Sequence, residues 1–221
     1  MNALVFGANG TLGGAIVDLM KSTGSQVITV SRDSSKTDVQ MENFVEQLKK
    51  FDSKFDACVW AQGMNTSDTL ADSEDFQKVF DANVGFIIET LKILLNNNLL
   101  SKNARLVVVS SIWQEASKTN KFSYTVSKSA LTGLVNSFVA DYSPHGLSMN
   151  AVLPGVVDTP MTRANLSQAQ ITNIEKETPM KTLVTSEDVA RAVNWLASPG
   201  SSGINGQFIR VDNGWSQIRA I

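Results

Sequence analysis

Four apolar residues, Ala3-Leu4-Val5-Phe6, lead without interruption into Gly7-Ala8-Asn9-Gly10-Thr11-Leu12-Gly13-Gly14, and an amphipathic stretch follows. A strand that turns through glycines into a helix presents backbone amides at the positive end of that helix, where a phosphate is attracted. Glycines at the first, fourth and seventh places of the turn permit tight curvature and close approach of a pyrophosphate. Ordinary strand-to-helix turns also use glycine, so the string is informative chiefly through its place directly after the first strand. It makes Gly7, Asn9, Gly10, Thr11, Leu12 and Gly13 candidates for holding a dinucleotide.

The rest of the chain continues the alternation. Apolar runs at Ala3–Phe6, Gln26–Ser31, Ala57–Ala61, Arg105–Ser110, Ser148–Leu153 and Gln207–Val211 read as strands. Longer stretches near Thr11–Ser22, Met41–Phe51, Ser73–Asn97, Tyr124–Tyr142 and Ser186–Ala197 read as helices. This pattern predicts the α/β class, a Rossmann-type doubly wound parallel sheet. Ser73 and Thr185 or Ser186 stand where helix N-caps belong, with acids in the turns that follow. No repeat or linker divides residues 1–221, so one domain is expected. Its 43% hydrophobic residues can supply a core without disulfides. The balance of 19 basic and 21 acidic residues argues against a nucleic-acid partner bound through a broad basic face, and against a polybasic membrane anchor. One cysteine, Cys58, and one histidine, His145, cannot build a Cys/His zinc site, so no metal is expected. No apolar run nears the roughly 18 residues that span a bilayer, and Met1 is not followed by a basic leader. A cytoplasmic location is expected.

The second strand ends in Val30-Ser31-Arg32-Asp33. An acid at such a tip takes a ribose 2′-hydroxyl, whereas an arginine accommodates a 2′-phosphate. The small Ser31 followed by Arg32 favours NADP(H) over NAD(H), with Asp33 as a competing partner for Arg32 or the ribose.

Tyr124-Thr125-Val126-Ser127-Lys128 puts a phenol and an ammonium four residues apart on one helix face. Ser110-Ser111 ends a strand, with Ser111 thirteen residues before Tyr124. Asn83, a poor helix former, lies inside the long helical stretch Ser73–Asn97, where it marks a kink. Downstream, Asn150-Ala151-Val152-Leu153-Pro154-Gly155-Val156-Val157-Asp158-Thr159-Pro160-Met161 leaves a strand through a Pro-Gly turn.

In this order and spacing the set resembles the short-chain dehydrogenase/reductase family, over essentially the whole chain from Gly7 to Gly206-Gln207 and Val211-Asp212-Asn213-Gly214. The resemblance implies an NADPH-dependent carbonyl reductase. Tyr124 would be the general acid, Lys128 would lower its pKa and hold the nicotinamide ribose, and Ser111 would hydrogen-bond the substrate oxygen. Asn83 would anchor a water that resupplies protons through Lys128. Thr159, with the Val157 backbone, would hold the nicotinamide carboxamide next to Pro154 and Gly155. Asp38 and Val39 correspond to the family's third-strand tip, and Ala61, Gln62 and Gly63 to the adenosine wall. Residues 161–178 would form a lid, with Trp113, Met64, Gln114 and Met161 lining the substrate pocket. A homodimer or homotetramer is implied, through the long helices. A 3-oxoacyl-carrier-protein reductase is the main variant, with Lys118, Lys121 and Arg163 as a docking patch; a nucleotide-sensing NADP-binding protein without turnover, suggested by the Gly7/Gly10/Gly13 spacing, is the competing reading.

Three features depart from the family pattern. The second glycine normally lies four residues after the first, where this chain has Thr11, and Gly10 comes one earlier. Trp60-Ala61-Gln62-Gly63 replaces the usual Asn-Asn-Ala-Gly. The stretch Ser31–Met41 is too short to hold the customary helix between strands 2 and 3, which predicts that this helix is shortened or absent and the third strand vestigial or missing.

Overall fold

Leu4 and Phe6 belong to one apolar layer and Ala3 and Val5 to the other, as the two-residue period of a strand buried on both faces requires. The computed structural model describes residues 1–31, 39–40, 43–51 and 53–218. In chain order the elements are β1 (Asn2–Phe6), α1 (Thr11–Ser22), β2 (Gln26–Ser31), β3 (Val39–Gln40), α2 (Phe44–Leu48), β4 (Phe55–Trp60), α3 (Phe76–Phe80), α4 (Phe86–Asn96) and β5 (Leu100–Val109). There follow α5 (Phe122–Tyr142), β6 (Ser148–Pro154), α6 (Pro160–Asn165), α7 (Gln168–Glu177), α8 (Ser186–Ala197) and β7 (Phe208–Val211). The strands form a seven-stranded parallel sheet in the order β3-β2-β1-β4-β5-β6-β7. Residues of α2, α4 and α5 pack on one face, among them Phe44, Leu91 and Val135. Ile16 and Met20 of α1 and Val193 and Leu196 of α8 pack on the other. This is the doubly wound α/β architecture expected from the alternation, and β1 beside β4 is its switch point, where such folds open a ligand crevice at the strands' carboxyl ends.

Several boundaries differ from the sequence reading. The third strand is vestigial: two residues, with Val30↔Val39 and Ser31↔Gln40 in register. The expected loss of the helix before it concerns residues 32–38, which lie outside the described residues, as do Arg32 and Asp38. The helix expected near Met41–Phe51 is the five-residue α2. The strand expected at Arg105 begins at Leu100, because its polar Ser101-Lys102-Asn103 hides the apolar signal while Leu100 and Ala104 are buried. The helical stretch Ser73–Asn97 is broken into α3, a π-helical turn at Asp81–Gly85, and α4, so the kink at Asn83 is a π-turn. Ser73 does not cap: Asp75 holds the N-cap position of α3, and the Ser73 hydroxyl donates to Leu70 O. Thr185 does cap α8, in a reciprocal capping box with Asp188.

Trp60, where the family has asparagine, is fully buried and stacks on its register partner Phe6, with ring centroids 5.4 Å apart. Its indole N–H donates to Thr90 Oγ1 at 2.9 Å, and that hydroxyl donates to Phe86 O. An indole in this core is tolerable only with that acceptor. Thr90→Val keeps the shape and removes the acceptor, and is expected to destabilise the fold by about 1–3 kcal/mol, read as a lowered urea midpoint at unchanged m-value.

Candidate active site

The phosphate turn is shaped by its backbone. Gly7 has φ +78°, and a Cβ there would stand 2.6 Å from Gln62 N. A Cβ on Gly13 would stand 2.1 Å from Gly7 O, so the start of α1 is seated directly on the turn. Gly10, the N-cap of α1, has no side chain with which to cap the helix itself. Across the crevice, both ends of the Gln62 side-chain amide are buried without a hydrogen-bond partner, a demand that a bound polar group can meet. Close-packed turn, helix N-terminus and orphaned amide together fit a dinucleotide pyrophosphate.

The chemical groups come from three elements. Ser111, just past β5, is extended and accepts from Trp113 N at 3.3 Å, and its hydroxyl stands near enough to the Tyr124 phenol to act on its ionisation. Tyr124 and Lys128 stand one turn apart on α5, with the Lys128 ammonium 5.7 Å from the Tyr124 ring centroid. Lys128 is 3% exposed and donates to Val109 O at 3.2 Å. Burial holds its pKa down to about 8, still above neutrality. Burial also pushes the Tyr124 phenol up, and the Ser111 hydroxyl works against this. Lys128 is buried and Tyr124 half-buried, so the ionisation of both responds to nearby charge.

The π-turn presents Asn83 to this pair. Asn83 Oδ1 accepts from Met64 N at 2.7 Å, and Nδ2 donates to Met64 O and Ser127 Oγ, each at 2.9 Å. A Cβ on Gly63 would lie 3.2 Å from Asn83 Oδ1 and 3.6 Å from Lys128 Nζ, which places the amide oxygen and the ammonium around one glycine. Asn83, Ser111, Tyr124 and Lys128 are therefore brought together at the carboxyl ends of β4 and β5.

The other expected residues take different places. Gln114 does not offer a free amide to the pocket: it is buried, and its Oε1 accepts from Ser110 Oγ at 2.6 Å. Trp113 packs edge-on against Trp215 at 5.6 Å, Met161 is largely exposed on α6, and the Met64 backbone is pinned by Asn83. Thr159 caps α6, accepting from Thr162 N at 3.1 Å. Gly155 abuts Asp212, and Val157 forms a parallel bridge to Val184 beyond Pro154. Residues 161–178 form α6 and α7. Arg163 donates to both carboxylate oxygens of Asp158 at 2.7 Å and holds that carboxyl below its ordinary value, which removes it as a free member of a docking patch.

Three residues have places in the site that the sequence reading does not assign them, Lys121 being assigned only to a docking patch. Ser127 links Asn83 to α5, donating to Tyr124 O at 2.8 Å. Asp68 reaches across 55 residues, where its Oδ1 accepts from Ser123 N at the first turn of α5. Lys121 binds the same loop through Asn65 Oδ1 at 2.7 Å and Thr66 O at 3.0 Å. No local signal marks Asp68; the spacing of Lys121, three residues before Tyr124, was a usable one.

Comparison with known proteins agrees with this fold. Residues 3–216 match the family profile described as Enoyl-(Acyl carrier protein) reductase. The 3-oxoacyl-[acyl-carrier-protein] reductase FabG of Rickettsia felis is 33% identical, over 98% of this chain and 97% of that protein. A short chain dehydrogenase family protein from Francisella tularensis superposes with TM-score 0.86 at 26% identity, covering 98% of this chain and 99% of that one. A gluconate 5-dehydrogenase from Burkholderia cenocepacia, solved in complex with NADP and tartrate, shares the fold with TM-score 0.91 at 18% identity, covering 98% of this chain and 95% of that one. Fold, site and relatives define an NAD(P)-dependent oxidoreductase. The chain belongs to the short-chain dehydrogenase/reductase family.

Proposed function

We propose that the chain reduces a ketone to an alcohol with NADPH, and that 3-oxoacyl thioesters are the substrate class to test first. The observation that carries the reading is the Lys128 ammonium held beside the Tyr124 ring, with Asn83 Oδ1 and Lys128 Nζ gathered around Gly63 and the Ser111 hydroxyl near the phenol. The dinucleotide supplies the hydride when bound. Ser111 and Tyr124 orient the carbonyl oxygen between two hydroxyls, and Tyr124 gives its proton to the developing alkoxide. Lys128 favours the tyrosinate left behind and holds the nicotinamide ribose. Asn83 keeps the Gly63-Met64 wall in place and orders the path by which the proton is returned. The turn Gly7–Gly13 takes the pyrophosphate, Ser31 and Arg32 the 2′-phosphate, Val39 and Ala61–Gly63 the adenosine, and Thr159 the carboxamide. The α6–α7 segment, which carries Met161, closes over Met64 and Trp113.

The names of the Rickettsia relatives support the acyl thioester, and the NADP complex of a fold neighbour supports the cofactor choice. Exposed Ile88 on α4 and Val126 on α5 support pairing of two copies across these helices, in a homodimer or homotetramer. A cytoplasmic location agrees with this class of substrate. The test is dinucleotide oxidation by the purified protein against a panel of ketones, aldehydes and 3-oxoacyl thioesters, with NADPH and NADH in parallel. Turnover with an acyl thioester and a preference for NADPH that Arg32→Ala abolishes are the expected results. Binding of NADPH without turnover of any carbonyl would favour a nucleotide sensor and overturn the reading.

A further inference from the structure

Tyr124 faces more than one cation. Lys121 Nζ lies 5.8 Å from the Tyr124 ring centroid, nearly the distance of Lys128 Nζ at 5.7 Å. Its hydrogen-bond acceptors, Asn65 Oδ1 and Thr66 O, are both neutral, so they fix the ammonium in position without cancelling its charge. The charged groups around it are Asp68, whose Oδ1 is engaged by Ser123 N, and Lys118, which lies over the Trp113 ring at 5.6 Å. Partial burial, followed by the charge of Lys118, lowers the Lys121 pKa, with Asp68 acting in the opposite direction.

A phenolate spreads its negative charge into the ring, so a cation held near the ring stabilises the deprotonated form more than the neutral phenol. We propose that Lys121 is a positioning residue acting through Tyr124, a second ammonium that the 64–68 loop holds against the ring and that favours the tyrosinate. Lys128 is buried and supports the ring from within α5. Lys121 reaches it from the half-exposed entrance of the same helix. The loop that forms the Gly63-Met64 wall thereby also sets the charge on the acid. The proposal rests on Tyr124 being the proton donor only for its functional meaning; the charge effect itself is measurable without turnover.

The sign is fixed by the chemistry. Where Lys121 still carries its proton, removing that cation destabilises tyrosinate, so the midpoint of Tyr124 ionisation moves to higher pH. The ascending limb of alcohol oxidation, which needs tyrosinate, moves with it. Tyr142 is the one other tyrosine in the chain. In a Tyr142→Phe background, ultraviolet difference titration therefore reads Tyr124 alone. Lys121→Met is expected to raise its midpoint by about half to one pH unit, a shift moderated by solvent access to Lys121, whereas Lys121→Arg leaves it near the parent value. Added salt is expected to move the parent toward the Lys121→Met midpoint. Asn65→Leu cuts the 2.7 Å anchor and keeps the charge, and is expected to raise the midpoint less. If Lys121→Met does not fold, this variant decides the matter. An unchanged midpoint in the folded Lys121→Met protein, or an equal shift in Lys121→Arg, overturns the proposal. A shift in the titration from a protein that turns over no carbonyl overturns the proposed function and leaves the Lys121 inference standing.

Discussion

Tyr124→Phe is expected to lower kcat for carbonyl reduction by about 10²- to 10⁴-fold, the usual contribution of a positioned proton donor, while dinucleotide affinity stays nearly unchanged. The substitution removes one oxygen. The ring stays in α5 near the Lys121 and Lys128 ammoniums, and Ser111 keeps Trp113 N as a donor to its hydroxyl oxygen. Lost turnover therefore cannot be ascribed to a collapsed site. Loss of a single hydroxyl contact costs only about 1 kcal/mol as a net contribution to folding, so the thermal midpoint should fall by a few degrees at most. Steady-state rates, with dinucleotide Kd from quenching of tryptophan fluorescence, separate the two quantities. A variant with parental kcat would assign the proton to another group, and Ser111 would be the nearest hydroxyl. Lys128→Ala should behave differently, because Lys128 is assigned to the nicotinamide ribose as well as to the phenol. Both kcat and affinity are expected to fall.

Much of this arrangement is legible in residue order alone, for a physical reason. Buried parallel strands must be apolar on both faces, so β1, β4 and the second half of β5 stand out as runs of Leu, Val and Ala. Helix signals are equally direct where caps are local, as in the Thr185–Asp188 box of α8. Reading fails where one face of an element is solvated or where a partner is distant in sequence. The first half of β5 carries Ser101, Lys102 and Asn103, exposed or half-buried, and passes for a loop. The π-turn at Asp81–Gly85 shows in sequence only as a weak helix former at Asn83. Its consequence, an amide turned onto Met64 and Ser127, depends on contacts 19 and 44 residues away. Asp68 is less visible still, since its place at the first turn of α5 follows from how the loop after β4 meets α5, 55 residues away. Gln114 was misplaced for a related reason. A polar residue near a catalytic serine looks like pocket lining, but the 3₁₀ turn at Ile112–Gln114 rotates it inward to Ser110.

Gly13→Ala and Gly10→Ala are expected to differ sharply, and the contrast bears on whether the unusual glycine spacing signals a different function. A Cβ on Gly13 would lie 2.1 Å from Gly7 O, 2.7 Å from Gly7 C and 2.9 Å from Ala8 Cα, all backbone atoms of the phosphate turn. Nothing there can rotate away, so the turn must open or α1 must lift from the sheet. Forced overpacking of this kind costs about 1–3 kcal/mol. The same displacement moves the amides that receive the pyrophosphate, and affinity for the dinucleotide should fall by about 10- to 100-fold if a like amount is lost from binding. At Gly10 the Cβ would meet only Gly7 O at 3.4 Å, and its φ of −80° is open to any residue. Gly10→Ala should leave Tm and Kd close to the parent. Titration calorimetry with NADPH, alongside thermal unfolding, reads both effects. The glycines demanded by sterics are thus Gly7 and Gly13, six residues apart, while the family's customary glycine between them sits at a place where this chain tolerates Thr11. The shifted middle glycine then changes neither the shape of the turn nor the seat of α1, and the spacing loses its force as a sign of a nucleotide sensor. Equal losses in both variants would show instead that Gly10 is sterically required and that this turn binds phosphate in a different way.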